Sequence, residues 1–167
     1  MAERIVVMGV AGSGKSTLAA ALARARGLPF VEGDAFHAAA ARAKMAAGIP
    51  LTDADRAGWL DRLAGLLARR PAVVLSCSAL RRAYRDRLRA AAPDLVLVHL
   101  DVGFETVLAR TEARRGHFFR GADLVRDQFA TLEPPGDEPG TVTLDAARAP
   151  AAVLAAAIAA LEALQPR

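Results

Sequence analysis

Gly9-Val10-Ala11-Gly12-Ser13-Gly14-Lys15-Ser16-Thr17 fits the pattern G-x-x-x-x-G-K-[ST], a spacing that can wrap a polyphosphate. Glycines let the backbone curl round an anion so that its N–H groups point inward at the mouth of a helix. The Lys15 ammonium can then reach the β- and γ-phosphates, and the Ser16 hydroxyl is a hard oxygen suited to Mg²⁺. Gly9, Ala11, Gly12, Ser13, Gly14, Lys15, Ser16 and Thr17 are therefore the expected binding residues for a nucleoside triphosphate, with ATP the expected donor and Ser16 the expected ligand of Mg²⁺. A glycine-rich turn can also serve packing alone. Here the apolar run Ile5-Val6-Val7-Met8 precedes it and the helical run from Leu18 to Ala23 follows, which is the strand–loop–helix setting the chemistry needs.

A phosphate loop names the donor and leaves the acceptor open. Glu32-Gly33-Asp34 ends a second apolar run, and in an open α/β sheet ligands bind beyond the carboxyl ends of the strands. Asp34 thus falls in the same crevice, where it can orient an acceptor hydroxyl or take its proton. It could equally cap a helix starting near His37. Lys44, Arg56, Arg81, Arg82 and Arg85 flank the crevice, and a bidentate arginine is the best holder of a substrate carboxylate. Any one of them taken alone is more often a solvated helix residue, and spacing does not say which point inward.

The elements that must position these groups follow from periodicity. Strands are expected at Ile5–Met8, Pro29–Glu32, Ala72–Ser76, Leu95–Leu100 and Thr141–Leu144, their Val/Leu runs suiting burial on both faces. Helices are expected at Lys15–Ala25, His37–Ala47, Thr52–Arg69, Ala79–Ala91, Phe104–Arg114, Ala122–Thr131 and Pro150–Leu164, with Thr52 or Asp53 capping the third. Their alternation predicts an α/β fold: three layers, with a five-stranded parallel sheet between helices. Residues 1–167 read as a single domain, with a helical insertion at about 37–69 and a glycine-flanked, arginine-bearing segment at about 114–122 suited to covering phosphates. The stretch Glu133 to Gly140 is a rigid proline-rich connection.

Composition narrows the partners. Of 167 residues, 53% are hydrophobic and 24% charged, so a packed core is expected, helix-rich and lined with alanine. The formal net charge of +4 suits small anions, and it would also suit nucleic acid. The arginines are scattered and no aromatic residues interleave with them, which favours small anions and argues against a nucleotide-gated nucleic-acid-binding module. Cys77 is the lone cysteine and reads as a small buried hydrophobe. With no internal disulfide, no targeting segment ahead of Ile5 and no membrane-length apolar run, a cytoplasmic protein without a membrane partner is expected.

Longer motifs then carry a resemblance. Met8 to Ser16 is joined by Glu32-Gly33-Asp34-Ala35-Phe36-His37, by the run Lys44 to Arg56 followed by Trp59-Leu60, by Cys77-Ser78-Ala79-Leu80-Arg81-Arg82-Ala83-Tyr84-Arg85-Asp86, by Gly116-His117-Phe118-Phe119 and by Gln128 to Pro134. In order and spacing over nearly the whole chain, the sequence resembles the gluconate kinases (gluconokinases), small P-loop kinases of the adenylate- and shikimate-kinase type. The Lys44 to Arg56 run and Gly116-His117-Phe118-Phe119 carry most of that specificity.

The resemblance implies transfer of the ATP γ-phosphoryl group to the 6-hydroxyl of D-gluconate, giving 6-phosphogluconate, by a homodimer. It implies catalytic roles for Lys15, Asp34 and Arg115, and nucleotide contacts from Arg115 and Arg120 of a lid. It further implies a sugar-acid pocket built from Asp34, His37, Lys44, Arg56, Trp59, Ser78, Arg82, His117 and Gln128. Two of these have plainer readings: His37 could merely start its helix, and an aromatic such as Trp59 at helical spacing usually buries. The chain departs from the family pattern at Ala38 and Ala41, where proline and asparagine are usual, at Gly58, where proline is usual, and at Arg81-Arg82, where a lysine pair is usual. Loss of an asparagine donor bears on which hydroxyls of an aldonate are recognised. Shikimate and nucleoside-monophosphate kinases share the architecture and would be the nearest alternatives.

Overall fold

The computed structural model describes residues 3–115 and 121–164. Strands β1 (Glu3–Met8), β2 (Phe30–Glu32), β3 (Ala72–Ser76), β4 (Val96–Asp101) and β5 (Thr141–Asp145) form one sheet in the order β2-β3-β1-β4-β5. Every neighbouring pair is parallel, with Val6 of the central strand opposite Leu75 on one side and Leu97 on the other. Parallel strands need crossovers, supplied by helices α1 (Lys15–Arg26), α2 (Ala39–Ala46), α3 (Asp53–Arg69), α4 (Arg82–Ala91), α5 (Phe104–Arg115) and α6 (Ala122–Thr131), while α7 (Pro150–Leu164) follows the last strand and packs beside α1. This is the three-layer α/β fold that the alternation of runs predicts.

Successive strand residues feed opposite layers. Ile5, Val7, Val98 and Leu100 pack with Leu18 and Leu22 of α1 and Val153 and Leu161 of α7. Val6, Met8, Leu75 and Leu97 pack with Trp59, Leu63 and Leu67 of α3 and Leu88 of α4. Each fully buried leucine contributes about 1.5–3 kcal/mol of transfer free energy. Alanine does what composition suggests: Ala19, Ala23 and Ala157 are buried in the layer where α1 and α7 meet, letting the helices approach closely.

Two elements begin differently from their sequence expectation, and each difference bears on the crevice. The expected helix from His37 is split. Residues Gly33–Phe36 form a 3-10 turn, His37 is extended, and α2 begins at Ala39 without a side-chain cap. Gly33 forces this turn tight against β3, because a Cβ there would collide with the Ser76 carbonyl oxygen. The expected helix from Ala79 starts at Arg82 instead, since Ala79 lies in left-handed backbone at φ 44° and Arg81 is extended. α3 begins where expected, and of the two candidate caps it uses Thr52: its hydroxyl accepts the Asp55 N–H at 3.2 Å, and the Asp55 carboxylate accepts the Thr52 N–H at 2.8 Å. Such a capping box contributes about 1 kcal/mol and fixes where the helix begins. Arg56, Trp59, Leu60 and Leu63 then fall on its buried face.

Candidate active site

In a parallel sheet all strand-to-helix turns emerge on one edge, so the phosphate loop after β1, the Gly33–Phe36 turn after β2 and the Cys77–Arg81 turn after β3 are neighbours. The phosphate loop turns through left-handed backbone at Gly12 and Gly14 (φ 78° and 93°), and Gly14 is the N-cap of α1. Ser13 Oγ is buried with no hydrogen-bond partner among the described residues. Lys15 is only 9% exposed, and its Nζ has one weak contact, the Val10 carbonyl at 3.5 Å. An orphaned hydroxyl and a buried ammonium at a helix N-terminus fit a phosphate group, which satisfies both. Ser16 and Thr17 are exposed in the first turn of α1. Among the described residues no cluster of three or more His, Cys, Asp or Glu could cage a metal. The hard hydroxyl of Ser16 fits Mg²⁺, an ion that draws most of its ligands from phosphate and water.

The loop separates two cavities. One, of about 350 Å³, is lined by Gly12, Ser13, Gly14 and Thr17 together with Arg110, Arg114, Ala146, Arg148 and Pro150. The other, of about 240 Å³, is lined by Ala11 and Lys15 of the loop, by Asp34, His37, Arg56, Ser78 and Gln128, and by the apolar side chains of Met45, Ala46, Leu51 and Leu124. The second cavity therefore brings the Lys15 ammonium and the Asp34 carboxylate to one space.

Asp34 is half-exposed and rides on the 3-10 turn, which is fastened from behind. Trp59 Nε1 donates to the Gly33 carbonyl at 2.8 Å and Arg62 Nε donates to the Phe36 carbonyl at 2.8 Å. The His37 ring stacks on Trp59 with centroids 4.3 Å apart, and its Nε2 lies 3.8 Å from the Asp34 carboxylate. His37 Nδ1 is buried without a partner among the described residues. Burial pushes the His37 pKa below its usual value against the opposing pull of Asp34, so the ring is neutral at pH 7. Gln128 Oε1 accepts the Ala11 N–H at 2.6 Å, which ties α6 to the phosphate loop and fixes the orientation of the amide.

The sequence-derived site residues sort themselves by these contacts. Lys15, Asp34, His37, Arg56, Ser78 and Gln128 line the cavity. Trp59 does not: it is fully buried behind His37 and holds the turn. Lys44 is paired with Asp55 at 2.9 Å, and Arg82 is exposed with Asp86 at 3.7 Å. Neither lines the cavity, because each has an acidic neighbour that draws it away. Of the arginines flanking the crevice, Arg81 lies 3.7 Å from Asp53, while Arg85 is fully buried against Glu138. Arg56 alone of this set lines the cavity. It is 6% exposed, donates to the Leu51 carbonyl at 2.8 Å, and among the described residues has no carboxylate within ion-pair distance. The Arg115 side chain, His117, Arg120 and most of the expected lid at 114–122 lie outside the described residues.

Sequence reasoning missed the apolar wall of Met45, Ala46, Leu51 and Leu124, for which composition gives no signal. It also missed Arg110 and Arg148 on the other side of the loop. The spacing of Arg110 and Arg114, one helical turn apart on α5, was the available clue.

An AAA domain family model matches residues 5–135. With the phosphate loop and the β2-β3-β1-β4-β5 sheet, that match makes the chain a P-loop kinase. Shikimate kinase from Aquifex aeolicus, at 18% identity and a TM-score of 0.61 over 96% of this chain and 97% of its own, shares the fold. Much nearer is the gluconokinase of Gluconobacter oxydans, 44% identical over 154 residues, 90% of this chain and 86% of that one. A thermosensitive gluconokinase of Escherichia coli is 40% identical over 86% of this chain and 79% of its own. The crystal structure of a gluconokinase from Sinorhizobium meliloti superimposes with a TM-score of 0.92 at 46% identity, covering 98% of this chain and 93% of the other. The chain belongs to the gluconokinase family.

Proposed function

We propose that the protein transfers the γ-phosphoryl group of ATP to the 6-hydroxyl of D-gluconate, giving 6-phospho-D-gluconate and ADP. The observation that carries this reading is the placement of Lys15, Asp34 and Arg56 around one cavity of about 240 Å³. A buried cation without a counter-ion is costly unless a ligand supplies the charge, and a sugar acid supplies a carboxylate. Arg56 is accordingly read as the carboxylate anchor, and Asp34 as the group that orients the acceptor hydroxyl and takes its proton. His37, Ser78 and Gln128 offer polar contacts to the hydroxyls between. The larger cavity beyond the loop, with Arg110, Arg114 and Arg148, is read as the seat of the nucleoside of ATP.

In-line phosphoryl transfer asks a protein mainly for positioning and charge neutralisation. Lys15 and the phosphate-loop amides hold the transferring group, and Arg115 and Arg120 are read as lid cations closing over it. Mg²⁺, held by Ser16, would neutralise phosphate oxygens when bound. Gly33 and Trp59 keep Asp34 facing the cavity. Residues 1–167 are read as one domain with a substrate-binding insertion at 37–69. The lone buried Cys77, which leaves no internal disulfide to form, supports a cytoplasmic setting, and the family resemblance supports a homodimer, which light scattering measures directly.

Incubation with ATP, Mg²⁺ and a panel of D-gluconate, other aldonates, shikimate and AMP tests the proposal. NMR identification of a phosphate ester on C6 of gluconate is the expected result. Phosphorylation of shikimate or AMP with gluconate untouched would overturn it.

A further inference from the structure

Arg85 is a crevice-flanking arginine that the reading above leaves without a role, and its surroundings are unusual. It is fully buried and its guanidinium is saturated. Nε and Nη2 grip the two Glu138 oxygens at 2.8 and 2.5 Å, Nη1 donates to the Ala79 and Leu80 carbonyls at 2.9 and 3.0 Å, and Nη2 also donates to the Glu133 carbonyl at 2.9 Å. One side chain therefore joins α4, the turn after β3 and the connection that follows α6.

The turn it grips is the strained one. Ala79 sits at φ 44°, left-handed backbone that is unfavourable for a residue with a Cβ and persists only where surrounding contacts impose it. Arg85 supplies such contacts at the Ala79 and Leu80 carbonyls. Immediately before the turn stands Ser78, which lines the acceptor cavity and whose carbonyl accepts the Gly9 N–H at 3.3 Å. Immediately after it, Leu80 accepts the Glu133 N–H at 2.8 Å, and Glu133 in turn accepts the Arg82 N–H at 2.9 Å. Glu133 closely follows α6, whose Gln128 and Leu124 form the facing wall of the same cavity.

We infer that Arg85, with Glu138, is a positioning residue for the acceptor: it imposes the left-handed turn at Ala79 and so sets Ser78 against the Gln128 wall across the acceptor cavity. This rests on the phosphotransfer reading and adds to it a residue that never touches substrate. A lysine cannot replace it, because three donors on a point charge cannot reach three carbonyls and a bidentate carboxylate at once.

The test uses the full-length protein, with folding verified by circular dichroism. Arg85→Lys should raise KM for the acceptor about tenfold and lower kcat, with KM for ATP within about twofold. Adding Ala79→Gly should restore the acceptor KM to within about threefold, since glycine takes that backbone without a Cβ penalty and needs no clamp. Leu88→Ala, on the same helix but outside the clamp, should lower the melting temperature and leave the acceptor KM unchanged. Should Arg85→Lys not fold, Glu138→Gln, which keeps the side-chain size but replaces one accepting oxygen with an amide donor and removes the counter-charge, should shift the acceptor KM in the same direction by a smaller factor. An unchanged acceptor KM in the foldable variant, an equal change in Leu88→Ala, or no rescue by Ala79→Gly would each overturn the inference. Failure of the wild-type protein to phosphorylate gluconate would instead overturn the functional reading beneath it.

Discussion

Arg56 and Arg85 occupy facing helices on the same side of the sheet, and both are buried, yet their surroundings are opposite. Arg85 meets a full set of acceptors, including the Glu138 carboxylate. Arg56 meets the Leu51 carbonyl and the edge of a cavity, with the Tyr84 ring 5.9 Å from its guanidinium carbon. A buried charge matched within the protein builds structure, and one left unmatched at a cavity waits for a ligand. The same residue type, about as deeply buried, thus divides into architecture and the recognition role proposed for Arg56, according to what lies opposite.

The comparison can be broken in several places. Asp34→Ala removes the group proposed to orient the acceptor hydroxyl across the cavity from Arg56, and turnover should fall by about 10²–10⁴ while ATP affinity stays near normal, measured by steady-state kinetics and calorimetry. Arg85→Leu should cost about 3–5 kcal/mol of unfolding free energy by leaving the buried Glu138 to Arg89 alone and the Ala79, Leu80 and Glu133 carbonyls without their donor, as read by denaturant titration. Arg56→Leu should do the reverse: acceptor affinity falls by about 1.5–3 kcal/mol, roughly tenfold to a hundredfold in KM, while the melting temperature is unchanged or higher. Were Arg56→Leu the destabilising variant and Arg85→Leu the binding-defective one, the division would be reversed.

Acid gives a finer test. Hydrogen bonds from Arg85, aided by Arg89, hold the Glu138 carboxyl down to about 2. A depressed pKa in the folded state means stability that is present above the unfolded value of 4.5 and is lost as pH falls from there towards about 2. The loss over that window should be about 3 kcal/mol, and Glu138→Gln should flatten it. Smallest of all, Trp59→Phe should cost about 1 kcal/mol by deleting the bond to the Gly33 carbonyl, with a fall in kcat as the Asp34 turn loosens.

Local chemistry was legible in the sequence and tertiary pairing was not. The phosphate loop, the crossover helices and the Thr52 cap are set by neighbours within a few residues, so spacing finds them. The start of α4 was misplaced because the conformation of Ala79 is imposed by a guanidinium six residues on and by carboxylates more than fifty away. The same limit hid which arginine enters the crevice: Lys44 and Arg82 have acidic neighbours that draw them off, and Arg85 is claimed by Glu138, pairings that no periodicity reveals. The resemblance places Trp59 in the pocket while its helical spacing points to burial; the structure buries it, and its indole hydrogen bond to Gly33, a contact across 26 residues, is what no spacing reveals.

Arg56 and Trp59 lie three residues apart on α3, so the anchor for a carboxylate and the prop behind the Asp34 turn are spaced by less than one helical turn, about 4.5 Å of rise. Both ends of an acceptor are then gauged from one rigid rod. If Arg56 anchors the carboxylate as proposed, acceptor length becomes a property of helix register, and an acid one carbon shorter should be the poorer substrate.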